Sequence, residues 1–188
     1  MKLTTRIVVV TAALGALRFV LSLAGATIPG VIGIPGMSGV INILWAGAFL
    51  ALPPLITRSF WSSTLSATFY SLLALPLPLS GPSGFFPKIL IGITTGLLAD
   101  VIYTLLKRQE LGAALGIGAA GQTLLGFEIA WLGMLFRVPG IDKYAAIQFS
   151  LAGILSTILG GTISGLLGWA VYRRMRDSDV VKRVRSPI

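Results

Sequence analysis

The chain has 188 residues, 55% of them hydrophobic and only 11% charged, with a mean hydropathy of +0.90 and a net charge of +9. A soluble domain carries about twice that share of charge, so the composition points to a single domain that lives in a bilayer. There is no cysteine and no histidine, which excludes a disulfide framework, a thiolate metal site and the commonest general base.

Met1 to Arg6 is a short basic start. The apolar run from Ile7 to Gly25 exceeds the h-region of a signal peptide, about 7–15 residues, and carries Arg18, so it reads as a retained first helix. Thr27 to Gly39 contains Ile-Pro-Gly twice and is expected to be an apolar loop folded over the protein. Helix two is expected from about Val40 to Leu52 or a little beyond, with Pro53-Pro54 ending it. Helix three follows from Phe60 to Leu79, its last turn loosened by Pro76 and Pro78.

The turn Gly81-Pro82-Ser83-Gly84 introduces helix four, Phe85 to Leu106. Its length of roughly 22 residues, at 1.5 Å each, crosses a hydrocarbon core of about 30 Å. Gly92 and Gly96 give it a small-xxx-small face for close packing. After a polar turn at 107–110, helix five covers Leu111 to Phe136 and includes Gly112-xxx-Gly116. The loop Arg137 to Lys143 leads to helix six, Tyr144 to Tyr172, with Gly161-xxx-Gly165. Arg173 to Ile188 is a polar, basic tail, expected to be mobile.

The expected fold is an all-α integral membrane protein: a six-transmembrane-helix bundle over 1–172 and a basic cytoplasmic tail over 173–188. Lys2, Arg6, Arg58, Lys107, Arg108 and the basic tail share one side, against Lys88, Arg137 and Lys143 on the other. The positive-inside rule then makes both termini cytoplasmic, and the net charge becomes a topology signal with some affinity for anionic lipid rather than for nucleic acid.

Polar side chains inside a membrane are costly and mark function by default. On this topology Arg18, Asn42, Lys88, Glu128 and Gln148, from five helices, fall in the outer half, with Trp45, Trp131 and Tyr144 at comparable levels. Polar groups set in aromatic and apolar walls describe a small-molecule pocket. The competing reading is that the aromatics form an interfacial belt, that Lys88 snorkels outward and that Arg18 pairs with Glu128. Asp100, near the other end of helix four, suits either a proton relay or a structural hydrogen bond such as a cap. No Ser-His or Cys-His arrangement and no GxxxxGK[ST] phosphate loop can be built, so the chain is expected to be no enzyme and to use no cofactor. Ala12 and Ala16, one turn apart on helix one, form a small patch that a partner helix can approach.

Taken together, these features resemble the S component, the substrate-binding membrane subunit of energy-coupling factor (ECF) vitamin transporters, over nearly the whole chain. The resemblance implies a vitamin or precursor bound at the outer face and an Ala-xxx-Ala patch, here Ala12 and Ala16, docking on a transmembrane coupling subunit. It also implies two cytoplasmic ATPases, a lid over Thr27 to Gly39, and toppling in a prokaryotic plasma membrane; the charge distribution argues against a nucleic-acid partner. A narrower likeness to the thiamine or hydroxymethylpyrimidine branch rests on Pro82-Ser83-Gly84, Ile91-Gly92-Ile93, Gly96-Leu97 and Ala99-Asp100. Two alternatives stand beside it: a stand-alone secondary transporter in which Glu128 or Asp100 carries a proton, and a non-transporting membrane scaffold.

Overall fold

The computed structural model describes residues 4–32 and 37–185, and the side chains of all but 28–32 and 37–41 of these. The described residues are organised by helices, with no strand: α1 (Thr5–Ile32), α2 (Met37–Thr57), α3 (Ser62–Ala74), α4 (Pro87–Leu106), α5 (Glu110–Leu135), α6 (Ile141–Gln148), α7 (Leu151–Met175) and α8 (Asp179–Arg185). Within α1 the stretch Thr5–Thr27, and the whole of α4, α5 and α7, are long and apolar enough to cross a membrane, which marks a multi-pass membrane protein; Asn42–Thr57 in α2 is a shorter apolar helix.

The helices pack through small residues. A side chain at Gly118 on α5 would run into the Gly161 carbonyl on α7, and one at Gly165 into the Ala114 carbonyl, so the expected Gly161-xxx-Gly165 face meets α5 backbone to backbone. Gly96 lies equally close to α3: a Cβ there would sit 2.5 Å from Thr64 Cα and 2.8 Å from the Ser63 carbonyl. With lipid tails as apolar as the side chains, such close backbone approach is what holds helices together.

Five boundaries differ from the sequence reading. α1 keeps helical backbone through Thr27 and Pro29 to Ile32, where a loop was expected. Residues 33–36 of that expected lid lie outside the described residues. α2 continues through Pro53-Pro54 to Thr57. Pro54 has no N–H for the Leu50 carbonyl, and the Ser63 hydroxyl donates to that oxygen instead, at 2.8 Å. α3 stops at Ala74, ahead of Pro76 and Pro78, rather than at Leu79.

Helix six is two helices. α6 ends at Gln148, and Ser150 begins α7 as an N-cap in extended backbone, its hydroxyl accepting from Gly153 N at 3.1 Å. The basic tail, expected to be mobile, forms α8 and is anchored: Val181 is fully buried, and Arg185 donates to the last carbonyls of α2, from Nη2 to Leu55 at 2.6 Å and from Nε to Ile56 at 3.0 Å.

A candidate ligand cavity between the helices

A cavity of about 440 Å³ lies between α1, α2, α3 and the segment after it, α5, α6 and α7. It sits at the end of the bundle away from α8: its α5 residues, Gln122 to Ile129, are about 18–28 Å along the helix from Glu110 at 1.5 Å per residue. The break at 149–150 shapes one wall. α6 brings Tyr144, Ile147 and Gln148 to the cavity, and α7 brings Gly153, Ser156 and Thr157. Gln148 fits into the space that Gly126 leaves on α5, where an added Cβ would lie 2.6 Å from the amide.

Of the eight side chains placed at this level from the sequence, the structure brings Arg18, Asn42, Tyr144 and Gln148 to the cavity wall. Lys88 is adjacent. It shares with Arg18 a void of about 10 Å³, room for roughly one water. Its ammonium is 2% exposed and donates to the Leu77 carbonyl at 2.5 Å and the Ala74 carbonyl at 3.1 Å, so it closes the C-terminal end of α3. The other three lie elsewhere. Trp45 packs against the core around Leu50 and Leu55, and Trp131 is 59% exposed on the outside of α5. Glu128 joins α5 to α4, with Oε1 accepting from the Thr94 hydroxyl at 2.5 Å and Oε2 from that of Thr95 at 3.5 Å. Ala12 and Ala16 are half-buried beside an exposed stripe formed by Val9, Ala13, Leu17 and Val20.

Six further polar residues of the wall were not singled out from the sequence: Ser22, Tyr70, Ser80, Gln122, Ser156 and Thr157. Gln122 was findable, because it is a polar residue deep in an otherwise apolar span. Its amide donates to the Ile43 carbonyl at 3.0 Å and ties α5 to α2.

The electrostatics of the wall set it apart. Arg18, 5% exposed, lies over the Tyr70 ring with its guanidinium carbon 4.1 Å from the ring centre. Arg18 Nε, Asn42 Oδ1 and Gln148 Nε2 are buried without a hydrogen-bond partner among the described residues. The one other such atom is Ser66 Oγ, away from the cavity in α3. Buried polar atoms are ordinarily paired, so three unpaired ones around one cavity mark it as a place for something to bind.

Comparison with known protein families, curated proteins and solved structures finds no match. Among the described residues no three acidic groups cluster as metal ligands, and the cavity wall carries a guanidinium, amides, hydroxyls and two tyrosines but no carboxylate.

Asp100 has a definite role. Its carboxylate accepts from Ser63 N and Thr64 N, each at 3.0 Å, and from the Thr64 hydroxyl at 2.7 Å, capping the first turn of α3 from α4. Of the relay and the structural hydrogen bond, the geometry gives the second.

Proposed function

We propose that this protein is the substrate-binding S component of an ECF-type importer, and that its cavity takes a vitamin or vitamin precursor. The observation that carries the reading is the cavity of about 440 Å³ with three unpaired buried polar atoms in its wall. Its size lies within the range of small-molecule sites, about 300–1,000 Å³.

In this reading the chain crosses a prokaryotic plasma membrane six times. α2 and α3 complete the set begun by α1, α4, α5 and α7, with both termini cytoplasmic and the cavity on the outer side. Ala12 and Ala16 dock on the transmembrane coupling subunit, and two cytoplasmic ATPases supply the energy. No enzymatic step and no nucleic-acid partner are part of it. The transporter driven by protons would need a carboxylate facing the cavity. Glu128 and Asp100 are instead engaged with threonine hydroxyls and backbone amides away from it.

Native mass spectrometry of the purified protein tests the reading: a co-purified metabolite of vitamin size is expected. Protein that carries no such mass, and gains none when incubated with candidate vitamins, would overturn it. Ala16→Trp is expected to reduce uptake and co-purification with the coupling subunit while ligand binding persists. Orientation is checked separately, since an impermeant thiol reagent should leave Ser178→Cys unlabelled in intact cells.

A further inference from the structure

We infer that the ligand of this cavity is an anion, carrying a carboxylate or phosphate, and that Arg18 is the residue that binds it. The inference rests on the reading of the cavity as a ligand site, names the chemistry of what enters, and departs from the narrower likeness, since thiamine is a cation and hydroxymethylpyrimidine is neutral.

A guanidinium offers five N–H donors in a fixed fork and stays charged under all ordinary conditions. Buried arginines are normally matched by a carboxylate, because an unmatched charge in a low-dielectric interior is strongly unfavourable. The chain has six acidic side chains, and each is placed. Asp100 caps α3, Glu110 meets Arg58 and Tyr172, Glu128 meets Thr94 and Thr95, and Asp177 pairs with Arg176. Asp142 and Asp179 are exposed. None forms an ion pair with Arg18, whose one side-chain partner among the described residues is the Tyr70 ring. A ring face attracts a cation far less strongly than a carboxylate does in such surroundings.

Lys88 adds a second cation on the same void, met only by carbonyl oxygens. The protein thus sets two cations beside one corner of the cavity, and the nearest carboxylate, that of Glu128, is engaged by Thr94 and Thr95 and forms an ion pair with neither. A neutral ligand would leave that imbalance in place, whereas an anion removes it. The amides of Asn42 and Gln148, each able to turn a donor or an acceptor inward, then address the rest of the ligand. The aromatic walls at Tyr70 and Tyr144 favour a body with a flat face.

The anion could come from a small solute or from a lipid headgroup, and the test separates them. Purified full-length protein, freed of bound ligand, is titrated with two matched pairs of probes: benzoate against benzamide, and phenyl phosphate against benzyl alcohol. The readouts are the dissociation constant and the unfolding temperature. At least one anion should bind tighter than its neutral match by about 30-fold or more, the effect of losing one partner of a buried charge pair. Arg18→Met should abolish that preference and Arg18→Lys should retain it. Ligand-free Arg18→Met should unfold no earlier than the wild type, since it loses an unmatched charge.

Equal binding of the charged and neutral probes would overturn the inference and leave the cavity reading standing. No binding by any soluble probe and no response to anionic lipid would also overturn it, and with no co-purified metabolite the cavity reading falls too. If Arg18→Met unfolds markedly earlier without ligand, Arg18 is structural and the inference is wrong. The wild-type comparison alone decides if that variant does not fold. In nanodiscs, Arg18-dependent stabilisation by phosphatidylglycerol over phosphatidylcholine, with no response to the soluble anions, would keep Arg18 as an anion site but assign it to lipid.

Discussion

The two ends of the bundle treat buried charge in opposite ways. At the α8 end a set of charged and polar groups near the helix termini is joined into one network. Arg58 meets Glu110 at 3.3 Å, Tyr172 donates to the same carboxylate at 2.9 Å, and Arg185 donates to Tyr172 at 2.8 Å while capping α2. Nearby, Asp100 accepts three hydrogen bonds. At the cavity end Arg18, Asn42 and Gln148 are buried with atoms left unpaired. The first end reads as built for stability. The second is left incomplete, as a binding site must be before its ligand arrives. The contrast also explains why a polar residue inside a span is an ambiguous signal: Asp100 and Arg18 are equally hidden, yet one closes a network and the other opens onto a cavity.

The contrast can be broken most forcefully at Asp100. Replacing it with alanine strands two buried backbone N–H groups, each costing about 1–3 kcal/mol, so a loss of about 3 kcal/mol or more in unfolding free energy is expected. Asp100→Asn should lose less, because one carbonyl acceptor remains. An Asp100→Ala protein as stable as the wild type would remove the structural half of the comparison. Next in size is Gly118→Val, which forces α5 away from α7 and should cost about 1–3 kcal/mol with binding and stability lost together.

Arg185→Ala should cost about 1–2 kcal/mol, because its hydrogen bonds to the Leu55 and Ile56 carbonyls are charge-assisted but partly open to water. Proteolysis should then cut the tail ahead of the bundle, and a tail still protected would mean that the buried Val181 and the Arg6 hydrogen bond to the Arg183 carbonyl are enough to hold it. The smallest stability effect is expected at the cavity. Gly126→Ala pushes on the Gln148 amide, which can turn, so unfolding should move by only about 0.5 kcal/mol, near the surface-substitution range. Ligand affinity should nonetheless fall several-fold, measured by titration of the co-purified metabolite. Unchanged affinity would place the ligand away from Gln148.

The spans were legible where apolar length alone decides: the beginning of α1 and nearly all of α4 and α5 follow from uninterrupted apolar runs. The passage of α2 through Pro53-Pro54 was not. The groups that attend to its end are Ser63 on the next helix and Arg185, 130 positions away from Leu55. The split of helix six was equally hidden, because Phe149-Ser150 carries neither proline nor glycine and apolar residues continue on both sides. The Ser150 and Gly153 pair is the only local sign of a helix start there.

For the site, depth along a span could be read from residue spacing, and Arg18, Asn42, Tyr144 and Gln148 do meet at one cavity. Direction around a span could not. A helix that is apolar on every side has no stripe to say which face turns inward, so Glu128 and Trp131 could be given a level but not a neighbour.

The most direct measurement sets the two buried charges side by side: unfolding temperatures of ligand-free wild type, Asp100→Ala and Arg18→Met under one set of conditions. The account predicts a large drop for Asp100→Ala and an unchanged or higher temperature for Arg18→Met, with ligand binding lost only where Arg18 is replaced. A drop in Arg18→Met comparable to that of Asp100→Ala would contradict it, because both charges would then belong to the scaffold.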